Sequence, residues 1–267
     1  MIRDITIGQY YPADSPLHKL DPRTKLMGTL IFIISVFLFH TIPGYAVATL
    51  FLAALLKISK VPVKFIFKGL KAIFMILLIT MLFNVFLTPG EVIWKLGFLK
   101  MTKEGISLAV RMAIRLIYLV IGSSLMTLTT TPNQLTDGLE RSLRPLNRLH
   151  VPVHEISMMM SIALRFIPIL LEETDKIMKA QIARGADFEN GNLIQKVKNM
   201  VPLLVPLFIS AFRRANDLAM AMEARCYHGG EHRTQMKPLC YQKRDYVTYL
   251  ILAAYLAVAI TFRVVGI

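Results

Sequence analysis

The sequence predicts an all-α polytopic membrane protein, with about five transmembrane helices and about three cytoplasmic helices inserted before the last span. Three observations predict it. Hydrophobic residues make up 55% of the 267 positions and charged residues only 18%, against about 45–50% and about 25% in soluble domains. The mean hydropathy is +0.53. Several uncharged apolar runs approach the roughly 20 residues that a spanning helix needs. This composition excludes a typical soluble enzyme, and it excludes disorder, which needs low hydrophobicity. The net charge of +14 suits nucleic acid, anionic lipid or the positive-inside bias of a membrane protein, and the hydropathy selects the third. The two cysteines, Cys226 and Cys240, form no CxxC pair and no disulfide framework.

The elements follow in order. Asp4, Asp14 and Asp21 precede the first apolar run, so the N-terminus is no signal peptide. Residues 26–56 contain no Asp, Glu, Lys or Arg, and His40, Pro43 and Gly44 interrupt them near the middle. This predicts two helices, roughly 24–40 and 44–58, joined by a tight turn. Each is short, so its flanks extend into the interface or the bilayer thins. A third run covers 72–90, a fourth 105–130 and a fifth 246–262. The fourth holds Arg111 and Arg115 on one helix face without an acidic partner, which suits snorkelling to the outer headgroups. Thr127 to Thr131 reads as hydrogen-bonded packing or capping.

Orientation follows from the basic residues. Lys57, Lys60, Lys64, Lys68 and Lys71 crowd the loop after the second helix with no acid among them, which places that loop in the cytoplasm. The N-terminus, with Arg23 and Lys25, then lies inside. The loop with Glu91, Lys95, Lys100 and Lys103 lies outside, where its lysines weaken the rule without reversing it. The C-terminus lies outside.

Residues 131–244 are too long for a connecting loop and are helical in pattern. Thr131-Pro132-Asn133 opens a helix with Asn or Thr as cap, and Arg144-Pro145 ends it. Val151-Pro152-Val153-His154-Glu155 opens a longer one that stops at Gly185. Asn190-Gly191-Asn192 is a turn. A third helix runs to Ala224-Arg225-Cys226 and stops before Gly229-Gly230, with Pro202 and Pro206 kinking or delaying its early part. The expected organisation is 1–130 with four spans, 131–244 as a cytoplasmic helical domain and 245–267 as the last transmembrane helix. Ile156, Met159, Met160, Ala163, Ile167, Leu170 and Leu171 form an apolar stripe, and Val201 to Ile209 surround the two prolines. Such faces lie at the membrane surface or pack on another membrane protein. Reading them as two more spans puts Arg165 within the first stripe and Arg213-Arg214 just after the second, at a few kcal/mol each at mid-bilayer.

A short repeat stands out. Ala180-Gln181-Ile182-Ala183-Arg184-Gly185 and Ala221-Met222-Glu223-Ala224-Arg225-Cys226 share A-x-x-A-R-[G/C] at the ends of two long helices. Ordinary helix termination uses the same residues, Arg at the negative end of the dipole and Gly as the stop. Two copies at equivalent ends also suit docking, because small alanines admit a partner surface and a guanidinium forms bidentate pairs with a carboxylate. Met158, Met159 and Met160 fit either a core or a repackable docking face. His150 and His154 lie four apart beside Glu155, but Pro152 stands between them and H-E-x-x-H is absent. His228 and His232 are an equally weak loop pair. There is no Walker A loop, so the chain does not hold ATP by that device. G-x-S-x-G and a proton relay of intramembrane charges are absent too.

Together these residues identify a resemblance covering essentially the whole chain. The opening from Gly8 through Tyr10 and Pro12 to Ser15-Pro16-Leu17-His18-Lys19-Leu20-Asp21-Pro22-Arg23-Thr24-Lys25, the two A-R-G-type motifs and the terminal span resemble the transmembrane T component of energy-coupling factor (ECF) vitamin transporters. On residues alone, that opening reads as an interfacial anchor with Asp21-Pro22 capping the first helix. The second motif departs from the pattern by Cys226 in place of Gly, which bears on how closely that helix end approaches a partner.

The resemblance implies a bacterial or archaeal cell-membrane protein with two coupling helices and no chemistry or cofactor of its own. ATP and Mg would be bound by two partner ABC-type ATPase subunits. These would receive Ala183, Arg184 and Gly185 on one side and Ala224, Arg225 and Cys226 on the other. A small membrane S component would bind the vitamin and dock on Met158, Met159, Ala163, Ile167, Pro202, Leu203, Pro206 and Leu207. The alternative is a stand-alone secondary transporter of a small solute. It would want inverted repeats, broken helices and midplane charges, and five spans without a midplane acid argue against it. An intramembrane enzyme would want a nucleophile, base or metal constellation, which the sequence lacks.

Overall fold

A computed structural model describes residues 10–39, 41–96, 99–186, 188, 193–229, 236 and 238–265. Asp4, Gly8, His40, Asn190, Gly191, Asn192, Gly230 and His232, all used in the sequence reading, lie outside the described residues. The chain is all-α apart from one small hairpin, and it divides into two units. One unit comprises Gly8–Leu139 with Leu239–Ile267, and the other is built on Glu140–Pro238.

The first unit is a helical bundle of α1 (Pro22–Leu38), α2 (Ile42–Ser59), α3 (Val63–Leu87), α4 (Lys103–Thr129) and α8 (Lys243–Val265). Its centre is aromatic. Phe51 stacks on Tyr255 with ring centroids 4.2 Å apart, and Phe32, Val36, Phe39 and Ala48 are buried around them. The Tyr255 hydroxyl is satisfied by Ser35 Oγ at 2.8 Å, as a buried phenol requires. Gly122 lets α4 approach α1: a Cβ there would stand 2.7 Å from the Phe32 ring. Close approach through small residues is how membrane helices gain packing energy.

The opening motif fastens this bundle. Asp21 caps α1, its Oδ1 accepting from Arg23 N at 2.9 Å, and its two oxygens also hold the Arg23 guanidinium at 3.0 and 2.9 Å. The same guanidinium donates to Leu239 O and lies 3.9 Å over the Tyr241 ring. Burial, with Tyr249 beside it, pushes the Tyr241 phenol up to about 12, so the ring under the cation is neutral. Asp245, at the start of α8, accepts from Asp21 N at 2.8 Å. Lys25 Nζ donates to His18 O and to Thr129 O, tying α1 to the end of α4. Burial holds the His18 imidazole below its usual value. The neutral ring donates from Nε2 to Tyr11 O at 3.0 Å and accepts from Ser15 Oγ at Nδ1. The segment read as an interfacial anchor is therefore a fastening inside the protein.

Three differences from the sequence reading have physical reasons. α3 begins at Val63, not 72, because Lys64, Lys68 and Lys71 recur at helical spacing beside Phe65, Ile66 and Leu70; a search for uncharged runs passes over such an amphipathic start. The helix bends by 56° between Val63–Lys71 and Ile73–Leu87. The loop after α3 contains a hairpin, β1 (Val92–Leu96) pairing antiparallel with β2 (Leu99–Thr102). Arg115 does not simply snorkel outward: it is half-buried, reaches Phe39 O at 3.5 Å at the end of α1 and stacks over Phe37. Among the described residues, α4, α6 (Val153–Ala183) and α8 are long and apolar enough to cross a membrane, and the two limbs of α3 qualify together. Pro43–Ser59 is apolar but shorter.

The threonines at 127–131 cap and pack. Thr127 and Thr129 hydroxyls donate to carbonyls one turn back. Thr131 and Gln134 exchange bonds as a reciprocal capping box that opens α5 (Pro132–Leu143). A 3-10 turn over Arg144–Leu149 follows.

Candidate functional site

The second unit is dominated by α6 and α7 (Leu193–Glu223), of 31 residues each. Two groups of side chains join them. Glu173 on α6 accepts from Arg214 Nη2 at 2.9 Å and from the Ser210 hydroxyl on α7. One end along, Gln181 Nε2 donates to Pro202 O at 3.3 Å. That second bond has a local cause. Pro206 has no N–H, so the carbonyl of Pro202, four residues earlier, has no helical donor, and the Gln181 amide supplies one. The prolines thus leave α7 continuous but expose a carbonyl that α6 fills.

These pairings run in opposite senses along the two helices, so α6 and α7 are antiparallel. The two A-x-x-A-R motifs therefore stand at opposite ends of the pair. From Pro202, level with the first motif, α7 continues for about 20 residues, or about 30 Å of axis at 1.5 Å per residue, before it reaches the second.

The two motif ends are built alike. At the first, Gly185 N donates to Ile182 O at 2.9 Å and Ala186 N to Gln181 O at 3.0 Å. At the second, Cys226 N donates to Glu223 O at 2.9 Å and Tyr227 N to Met222 O at 3.1 Å. Each is a Schellman closure, which needs a left-handed residue after the helix. Gly185 takes it at φ +88° and Cys226 at φ +56°. Cysteine preserves the cap at a conformational cost of about 1–2 kcal/mol that glycine avoids. Ala183, Arg184, Gly185, Ala224, Arg225 and Cys226 are all exposed, and neither arginine forms a salt bridge among the described residues.

The apolar residues divide by face. Met159, Ala163, Ile167 and Pro202 are exposed, whereas Met158, Leu203, Pro206 and Leu207 are half-buried. On α7 the outward row is Leu204, Val205, Phe208, Ile209 and Phe212, with Phe208 61% and Phe212 67% exposed. The sequence reading placed Leu204, Val205, Phe208 and Ile209 in the apolar stretch around the prolines but chose Leu203 and Leu207 for docking and left out Phe212. An apolar stretch around two prolines gives no clean periodicity to tell the outward row from the inward one. On the other arm of the unit, Glu140 at the end of α5 accepts from Ser157 Oγ at 3.1 Å and lies 2.8 Å from His154 Nδ1. His154 is thus engaged with a neighbouring helix. Among the described residues, no group of three or more His, Cys, Asp or Glu side chains is placed to hold a metal ion.

Comparison with known proteins agrees over nearly the whole length. Residues 13–236 match the CbiQ family, described as a cobalt transport protein. The chain is 54% identical over 266 residues to the energy-coupling factor transporter transmembrane protein EcfT of Clostridium kluyveri, covering 99% of this chain and 98% of that one. It is 56% identical over 264 residues to the EcfT of Ruminiclostridium cellulolyticum, covering 96% and 99%. It is 48% identical over 260 residues to that of Bacillus subtilis, covering 96% and 98%.

Proposed function

We propose, from the premise that this chain belongs to the CbiQ family and is the transmembrane component of an energy-coupling factor transporter, that its own task is mechanical coupling. Two ABC-type ATPase subunits dock in the cytosol, one on Arg184 with Ala183 and Gly185, the other on Arg225 with Ala224 and Cys226. A small membrane S component, carrying a vitamin or other micronutrient, rests on the apolar faces of α6 and α7. Closure of the ATPases on ATP moves the two helix ends relative to each other, and the change in the angle between the helices tips or releases the S component. ATP and Mg belong to the ATPases, and this chain performs no catalysis. In this reading the N-terminus and 131–244 face the cytoplasm and the C-terminus lies outside.

The observation that supports this reading best is the pair of identically closed, exposed arginine ends on opposite ends of one antiparallel helix pair. One anchor would let the pair pivot, whereas two anchors about 30 Å apart along the axis carry a rigid-body motion. The row from Leu204 to Phe212 supplies an apolar surface of the kind that a membrane partner covers.

A detergent pull-down from native membranes tests it. Wild type brings down two ATPases and a small membrane protein. The double variant Arg184→Glu, Arg225→Glu inserts normally and loses the ATPases, because truncating a desolvated charge pair costs about 2–5 kcal/mol at each site. A wild-type chain that comes down alone and still moves a solute in liposomes replaces this reading with a stand-alone secondary transporter, and the repeated motif reverts to helix termination.

A further inference from the structure

The membrane bundle contains a cleft that the coupling role does not use. α1, α2, α4 and α8 leave a cavity of about 650 Å³ between them. It lies wholly within the bundle unit and is walled by Phe32, Leu52, Leu55, Leu125 and Leu252, among others. Ile58, Val247 and Ile251 line it yet remain about half exposed, so the cleft opens sideways, where the bilayer lies against the bundle. A cavity with an apolar lining and a lateral opening fills with hydrocarbon rather than water.

Its length and charge specify the occupant further. The lining residues run from Thr24 to Phe32 on α1 and from Lys243 to Leu252 on α8, about 12–14 Å of helix axis. That is close to half of a hydrocarbon core about 30 Å thick, the depth of one leaflet. Lys243 and Arg244 line one end of the cleft and are exposed, on the first turn of α8, where the helix dipole also favours an anion. Lys25 adds a buried ammonium at the same end, with Nζ on the carbonyls of His18 and Thr129. The nearby acids are engaged elsewhere: Asp245 accepts from the backbone N–H groups of Asp21 and Gln242, and Asp21 holds Arg23. The Thr24 hydroxyl, on the same wall, is buried without a hydrogen-bond partner among the described residues.

We propose that this cleft is a binding site for one anionic phospholipid, an acyl chain lying between α1, α2, α4 and α8 and the phosphate held by Lys243 and Arg244. A bound chain fills space that would otherwise weaken the packing of α8 on the bundle. The site is independent of the coupling role.

The test is native mass spectrometry of the full chain, stripped of lipid in detergent and titrated with phosphatidylglycerol or phosphatidylcholine. Wild type retains one phosphatidylglycerol above the annular background and prefers it to phosphatidylcholine by about fivefold for each of the two cations. Lys243→Glu with Arg244→Glu abolishes the preference and leaves chain binding in place. Ala54→Trp, on the α2 wall, fills the cleft and removes the retained lipid of both kinds, with folding checked by thermal melting. If that variant does not fold, Ala54→Leu takes its place and reduces retention in proportion to the volume filled. Equal retention of the two lipids by wild type, or undiminished retention by a folded cleft-filling variant, overturns the proposal.

Discussion

The two units of this chain place their apolar residues in opposite ways. In the bundle, Phe32, Val36, Phe39, Leu52, Tyr255 and Ala259 are buried against one another, and the polar groups of the opening motif close on partners from α4 and α8. In the unit built on α6 and α7, Val153 and Ser157 are the buried residues on α6, and none of the described residues of α7 is buried. Yet α7 carries Leu204, Val205, Phe208, Ile209 and Phe212 outward. The difference separates a region with a buried core of its own from one whose apolar row on α7 is left exposed. The pair is held instead by a few directional bonds, Glu173 to Arg214 and Ser210, and Gln181 to Pro202. Such joints resist sliding but leave the large faces free.

Four substitutions at three places sharpen or break this contrast. The largest effect is expected in the bundle. Asp21→Ala removes a buried cap and leaves the Arg23 guanidinium without its carboxylate, a loss of about 3–5 kcal/mol, read as a fall in the melting temperature of the purified protein. A melting temperature equal to wild type would mean that the fastening is ornamental and that the bundle is held by its aromatic core alone. A smaller and more selective effect is expected on α6. Met159→Glu leaves melting and ATPase co-purification unchanged and weakens S-component retention about ten- to a hundredfold, as losing a buried large apolar side chain at roughly 1.5–3 kcal/mol implies. Normal transport by that variant would move the docking face elsewhere. The smallest effect is at the motif ends. Cys226→Gly relieves the left-handed strain and raises stability by about 1 kcal/mol, while Gly185→Ala lowers it by a similar amount. Negligible effects at both ends would show that neither closure carries a left-handed backbone strain.

Much of this was legible in the residues. The apolar runs located the bundle helices, and the A-x-x-A-R repeat located both ends of the α6–α7 pair, because helix termination is local chemistry: a left-handed residue, a cation and small neighbours within one turn. Thr131 (beside Asn133 as the alternative) and Asp21 before Pro22 were readable as caps for the same reason. The start of α3 was not, because lysines on one face interrupt an uncharged run without interrupting a helix. The hairpin after α3 was missed because its pairing depends on two short strands meeting, which neither strand signals alone.

What the sequence by itself determined is therefore set by period and by local capping: an all-α membrane chain, two long helices before the last span, and arginines at their ends. Only the tertiary structure decided which groups from distant positions meet. Asp21 with Asp245, Lys25 with Thr129, Gln181 with the carbonyl freed by Pro206, and the cleft between α1, α2, α4 and α8 all arise from packing between elements far apart in the chain. No periodicity encodes those meetings, because a side chain's partner across a bundle depends on helix rotation and crossing, which are fixed only when the whole set of helices packs together.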